Sequence, residues 1–493
     1  MADGTTGSAV PGAGGERIAR AAHGQELVWR TGRRSGGLLL QHVADTFRLG
    51  AAIDEGQVRS ALAALAARHT ALRTSLRVLD GGLRQVVHPG IELPVEFADL
   101  GGADDGKRAE RLAELADQAA ALPFDPARAP LWRAVAVRLG EADWAVVLVA
   151  HQLVCDPASL FLLNAELAEL CAAEEQGRAP ELAEPVPDFA DHADRQHGPA
   201  AAELRARAAE FWRARLAGRP SGHGLPLDHP RPAVRAGAGA EVRSAFPAGL
   251  AAALRAGIEP RAGAERLAGS PLPVLLAGYA ALLHDRSGRT DHLIGVPVSG
   301  RRRPETLALV GALAGRLVLR LDTSGDPSFA ALVDRVQDVA SAAWEHQDQP
   351  LPVPVDPEPL DPGRPVEPVH QPAFNLTEGR EPGAPCGYAE DELLLEVADH
   401  AARLVYDTEL FAPATARGLL DDYLALLAAG LADPAAPLSR LLSPPPGAAA
   451  GRPPAAARDG RAESFPAGSR GPSEPEGPRE GRSAPSVLLR STQ

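Results

Sequence analysis

The sequence predicts an α/β protein of two lobes, and three observations carry that expectation. Short runs rich in β-branched and aliphatic residues, such as 146–150 and 293–298, alternate with segments whose apolar residues recur at helical spacing. The chain has 493 residues and is 45% hydrophobic, enough to bury more than one core. A stretch at 176–202 rich in Pro, Ala, Glu and Asp interrupts the alternation and reads as the connection between lobes. The expected organisation is therefore an N-terminal lobe at 17–175 and a C-terminal lobe at 203–442. A disordered N-terminus (1–16) and a Pro/Gly-rich disordered tail (443–493) flank them.

Composition narrows the function. Asp and Glu number 64 against 50 Lys and Arg, a formal charge of -14. Backbone phosphates need a basic face, so neither nucleic acid nor an anionic membrane surface is expected as a partner. No run of about eighteen uncharged apolar residues marks a membrane helix. Residues 1–15 lack the basic start and apolar run of a secretory signal. Cysteines occur at 155, 171 and 386, an odd and sparse set that suits a reducing cytoplasm and has no metal-ligand spacing.

Taken in order, a strand over 38–49 follows the break at Ser35-Gly36-Gly37, with Val43, Phe47 and Leu49 alternating. Asp54 as N-cap with Gln57 three residues later starts a helix whose apolar face holds Val58, Leu62 and Leu65. Its basic end, Arg68-His69-Thr70-Ala71-Leu72-Arg73-Thr74, complements the helix dipole. A strand is expected at 134–138 and the central one at 146–150, with the Leu153-Val154 pair continuing it. Asp156 then reads as N-cap and Pro157 as first residue of a helix lined by Leu160, Leu163, Leu167 and Leu170.

In the second lobe a helix beginning near Glu203 carries Phe211-Trp212, and Ser270-Pro271 opens an apolar helix through Leu283. Asp326-Pro327 is expected to cap a helix that buries Phe329, Leu332, Val336 and Val339. Proline density makes 350–372 irregular. A strand at Phe374-Asn375-Leu376, a hairpin pairing 393–397 with 403–406, and a last helix from Pro413 complete the reading.

The chemistry concentrates where the central apolar run meets His151, Gln152 and Asp156. Side chains alternate along a strand, so His151 and Gln152 point to opposite faces, one to the core and the other toward a cavity. A glutamine amide donates and accepts hydrogen bonds but does not titrate near neutral pH. Cys155 lies four residues from His151, but no helix joins the two, and the thiol reads as small apolar filling.

His151-Gln152-x-x-x-Asp156-Pro157 resembles the His-His-x-x-x-Asp-Gly motif of the condensation domains of nonribosomal peptide synthetases, which share a fold with chloramphenicol-acetyltransferase-like acyltransferases. The likeness extends over roughly residues 20 to 442. It includes Gly24-Gln25-Glu26-Leu27-Val28-Trp29, the Arg68 to Thr74 run with Thr70 in place of an acid, and the run from Phe124 to Arg133. Asp188-Phe189-Ala190, Gly300-Arg301-Arg302-Arg303-Pro304-Glu305 and His346-Gln347-Asp348 also match family elements.

The resemblance implies two chloramphenicol-acetyltransferase-like lobes in a V around a central tunnel. In that family the second histidine faces the tunnel, and its slot is Gln152 here. The resemblance gives Asp156 a structural role, pairing with an arginine for which Arg301 is the candidate. Arg301, Gly315, Arg316, His346 and Asp348 are the expected tunnel residues, with Gly315-Arg316 standing where the family has Asn-Thr. Pro157 replaces the motif glycine and fixes the backbone there.

No bound cofactor or metal is implied, because the substrates arrive tethered to phosphopantetheine on a peptidyl or acyl carrier protein. A tailoring enzyme is a further partner. Loss of a general base typically slows a reaction about 10²- to 10⁴-fold, or roughly 3 to 5 kcal/mol of barrier. The expected function is a freestanding condensation-like protein, catalytically impaired, that binds carrier-tethered intermediates or a partner enzyme. The alternative is an active acyltransferase forming an amide or ester from a carrier-protein or coenzyme A thioester.

Overall fold

In the computed structural model the apolar run at 146–150 is the middle of a strand covered on both faces. The structure describes residues 10–11, 15–35, 41–102, 104–183, 188–220, 222–232, 237–257, 270–347, 372–377 and 389–442. All belong to one unit, Met1–Ala455.

The first lobe holds β1 (Val10–Pro11), β2 (Arg17–Arg20), α1 (His23–Ser35), β3 (His42–Leu49), α2 (Glu55–Arg68), β4 (Thr74–Leu79), β5 (Gly82–Val87), β6 (Val95–Asp99), α3 (Asp105–Ala121), β7 (Trp132–Gly140), β8 (Asp143–His151) and α4 (Pro157–Gln176). Next come α5 (Phe189–His197) and α6 (Pro199–Leu216). The second lobe runs through β9 (Gly239–Ala245), α7 (Leu250–Gly257), α8 (Leu272–Ser287), β10 (Asp291–Val298), α9 (Pro304–Leu307), β11 (Gly315–Asp322), α10 (Phe329–Glu345), β12 (Pro372–Leu376), β13 (Leu393–Val397), β14 (Ala401–Asp407), α11 (Pro413–Ala432) and α12 (Leu438–Leu441).

Three sheets result, in the orders β1-β2-β5-β4, β3-β8-β7-β6 and β11-β10-β12-β13-β14-β9. β8 lies inside its sheet, antiparallel to both β3 and β7. Helix α4 packs on β3, and α3 packs on β7 and β8, so the strand is buried on both sides and carries apolar residues at successive positions. In the second lobe β10, β12 and β13 run parallel, which puts their C-terminal ends at one edge of the sheet.

Each lobe has its own core. Leu62, Trp132, Trp144 and Val146 sit in the first, and Trp212, Tyr279, Phe374 and Tyr423 in the second. The buried indoles of the first core are satisfied, Trp132 donating to the Leu72 carbonyl and Trp144 to that of Ile53, both at 3.0 Å. Leu309, Val310, Ala312 and Leu313, which precede β11 in sequence, belong to the first core and not the second.

Local signals account for the helix ends. Asp54 and Gln57 form a reciprocal capping box on α2. At its other end Arg73 donates to the Ala66 carbonyl at 2.9 Å, and Arg68 and His69 both reach Glu166 of α4. The basic run thus satisfies terminal carbonyls and also pins α2 to α4.

Several expectations need correcting. Leu153 and Val154 are not strand: the His151 carbonyl accepts from the Val154 and Cys155 N–H groups (3.0 and 3.2 Å), closing a turn that ends the ladder. The stretch 176–202 is no bare connection. Asp188 caps α5, which buries Phe189, Ala190 and Ala193 and packs on β2. The N-cap of α10 is Ser328, while Asp326 is taken by the Ser439 N–H and hydroxyl at 2.8 and 2.6 Å. A further short helix, α12, follows the one expected to be last.

Residues 1–9, 36–40 and 443–493, the proline-dense 350–371, Asp348 and Cys386 lie outside the described residues. Among the described residues no helix is long and apolar enough to cross a membrane. Removing the α2 cap gives a direct check on these local terms: Asp54→Ala is expected to lower the unfolding free energy by about 1 kcal/mol, read from the denaturant midpoint.

Candidate functional site

The end of β8 sorts the two motif side chains by burial. His151 is fully buried opposite His42 in the ladder. Its N–H donates to the Leu131 carbonyl at 2.8 Å, and its Nδ1 accepts the Leu153 N–H at 3.0 Å. The ring lies against His42 and Phe124, with centroids 6.0 and 6.3 Å apart, and His42 Nδ1 is 3.0 Å from the Ala120 carbonyl of α3. Gln152, one position on, is half-buried, and its N–H donates to the Gln41 carbonyl at 2.8 Å. Gln25 holds this turn from α1, donating from Nε2 to the Leu153 carbonyl at 3.0 Å.

Asp156 caps α4 and is the centre of a buried polar cluster. Its Oδ1 accepts the Ser159 N–H at 2.7 Å. Arg301 grips it with two parallel bonds, to Oδ2 at 2.8 Å and Oδ1 at 2.9 Å. Oδ2 also accepts the Leu313 and Ala314 N–H groups at 3.1 and 2.9 Å. The Ser159 hydroxyl accepts from the Gly311 N–H (3.0 Å) and from Arg301 (2.8 Å), and Arg301 donates to the carbonyls of Leu309 and Ser299. Both charged side chains are nearly inaccessible, 6% exposed for Arg301 and 5% for Asp156.

Close backbone approach supports the same cluster. A Cβ on Gly300, where φ is +66°, would stand 2.2 Å from the Leu313 carbonyl oxygen. One on Gly311 would meet the Phe189 ring at 2.2 Å, and one on Gly24 the Ala312 carbonyl oxygen at 2.1 Å. Residues 311–314 are therefore wedged against α1, α5 and the end of β10.

The remaining predicted residues have other partners. Gly315 is buried opposite Val298 at the start of β11, one residue beyond Ala314. Arg316 binds Asp391 at 2.6 Å and Glu390 at 3.1 Å. Burial opposes its charge, but the two carboxylates outweigh burial and hold its pKa above the ordinary arginine value. His346 caps α10 and stacks on Phe211 of α6, with centroids 4.0 Å apart, and burial lowers its pKa. The structure thus unites Asp156, Arg301 and the run into Gly315, while Arg316 and His346 make these contacts within the second lobe. Ser159, Gly311 and the amides of Leu313 and Ala314 were missed by sequence reasoning. One hint was Ser159 in the first turn after a capped start.

Chemically, the motif residues are committed. His151 Nδ1 and the Asp156 carboxylate both hold structure, and Gln152 offers hydrogen bonds alone. Burial pushes the Cys155 thiol well above its ordinary pKa, which suits packing rather than attack. Among the described residues no group of three His, Cys, Asp or Glu side chains is arranged to hold a metal ion. Arg301→Ala leaves the Asp156 carboxylate buried without its ion partner, so a loss of about 3–5 kcal/mol of stability is expected in denaturant unfolding. Arg301→Lys should fall between, since an ammonium cannot make the paired bonds.

Comparison with known proteins fits this geometry. A family model of the condensation domain matches residues 23–379. A linear gramicidin synthase of Brevibacillus parabrevis is 31% identical over 436 residues, which cover 85% of this chain and 6% of that protein. Phosphinothricin tripeptide synthetase PhsC of Streptomyces viridochromogenes is 33% identical over 436 residues, covering 85% of this chain and 39% of the relative. The chain spans well under two thirds of the length of either. Among solved structures, the X-domain in complex with OxyB from teicoplanin biosynthesis superposes with a TM-score of 0.72 at 26% identity, covering 90% of this chain and 98% of the other. SgcC5 from Streptomyces globisporus gives 0.69 at 27%, covering 85% and 100%. The lobes have the chloramphenicol-acetyltransferase-like α/β fold of these neighbours, and the chain belongs to the condensation-domain family.

Proposed function

We propose that this chain is a condensation-type domain of nonribosomal peptide assembly that has kept recognition and given up chemistry. It holds an intermediate tethered to phosphopantetheine on a peptidyl or acyl carrier protein, or a tailoring enzyme acting on that intermediate, without forming the amide bond. The observation that carries the reading is the half-buried Gln152 in the turn between β8 and α4, where the family motif has its second histidine. Its carboxamide cannot take a proton from an attacking amine.

The surrounding framework supports retained binding. Arg301 holds Asp156 through two parallel bonds at 2.8 and 2.9 Å, and this buried pair supports the turn carrying Gln152. In this reading the carrier supplies the phosphopantetheine, so the protein itself needs no bound cofactor, and the work takes place in the cytoplasm. The neighbouring X-domain was solved with OxyB, and recruitment of that kind on this chain would require no catalytic base.

The test is a purified-protein assay with aminoacyl- and peptidyl-loaded carrier proteins and an amine acceptor. Binding without product is expected for the native protein and for Gln152→Ala. Gln152→His is expected to raise product formation by about 10²-fold or more, the usual contribution of a general base. Product made by the native protein and lost in Gln152→Ala would overturn the proposal and favour an active acyltransferase.

A further inference from the structure

We infer that Gln41 and Gln152 form a paired-carboxamide site selective for a secondary-amide N–H, with Gln41 as the residue that positions Gln152. The inference rests on the recognition role proposed above and names the chemistry that is recognised. Its starting point is register. His42 opposes His151 in the β3–β8 ladder, and the next step brings Gln41 opposite Gln152, joined by the 2.8 Å bond from the Gln152 N–H to the Gln41 carbonyl. Residues opposed in an antiparallel pair share a face, and by that rule the inferred site sets the two carboxamides side by side.

Gln41 is 1% exposed, and its Oε1 is a buried acceptor that meets no hydrogen-bond donor among the described residues. Such orphans are rare because burying an unpaired acceptor costs stability. The lobe's other buried glutamines show the usual outcome. Gln25 Oε1 accepts the Ala22 N–H at 2.9 Å, and Gln85 Nε2 donates to the Arg20 carbonyl at 2.7 Å. Gln41 stands out against them, at the one place where its neighbour is the motif position.

The missing partner has to be a donor, and the adjacent side chain that carries one is Gln152. When Gln152 Nε2 donates to Gln41 Oε1, the orphan is satisfied and the Gln152 oxygen is turned outward as an acceptor. The group it meets must then donate. A secondary amide, as in a pantetheine arm or a peptide, does so, whereas an ester in the same place does not. A site built around a buried hydrogen bond rejects the analogue that lacks the donor.

The experiment uses the full chain, with pantetheine and its analogue in which both amides are esters as probes, and Kd measured by NMR titration of side-chain amides in 15N-glutamine-labelled protein. Expected are shifts of the Gln41 and Gln152 resonances and about a tenfold preference for the amide probe. Gln41→Met, which has no acceptor oxygen to hold the Gln152 carboxamide, is expected to abolish that preference. Gln41→Glu, which keeps an acceptor oxygen, is expected to restore it. Equal affinity of the native protein for both probes, or an unchanged preference in Gln41→Met, would each overturn the inference. Amide-bond formation by the native protein would sink the non-catalytic reading yet leave this preference standing, so the two failures are distinguishable.

Discussion

Burying a carboxylate that is 5% exposed is costly without hydrogen-bond partners, and Asp156 collects them from across the sequence. The first turn of α4, the guanidinium of Arg301 and the amides of Leu313 and Ala314 all converge on two oxygens. Apolar packing would tolerate small slips between these segments. A bidentate pair inside a ring of backbone donors does not, because each slip leaves a buried charge or amide unpaired. The position of the β8 end relative to β10 and β11 follows from this one cluster. The glycines at 24, 300 and 311 let the backbone come close enough to form it.

That framework is also independent of the side chain at 152. The turn carrying Gln152 is held through its neighbours' backbone: the His151 carbonyl, the Leu153 carbonyl bound by Gln25, and the Gln41 carbonyl. None of these contacts uses the side chain at 152. Exchanging an imidazole for a carboxamide there changes what is offered to a ligand and leaves the support untouched.

The two lobes are not independent in sequence. Residues 309–313 pack into the first core and their continuation, β11, into the second, so the chain itself bridges the cores through the Asp156 cluster. Helix α5, read from composition as part of a linker, is a second such tie, since Phe189 sits in the first core and limits the side chain at 311.

Much of this protein was legible in its residues alone. The caps Asp54 and Asp156 and the proline at 157 depend on interactions within three or four positions, and the buried faces of α2, α4 and α10 and the strand at 146–150 show in the spacing of apolar residues, which periodicity and capping chemistry report. The motif likeness added the Asp156–Arg301 pair. Strands β4, β5, β6 and β9 mix polar and apolar residues without a clean alternation and went unread. Where an apolar run stops being strand, which of Asp326 and Ser328 caps α10, what Ser159 binds and which buried glutamine lacks a partner were decided by tertiary structure. Each answer lies with a residue that is remote in sequence, or with a carbonyl freed as a ladder ends, and no local pattern carries that information.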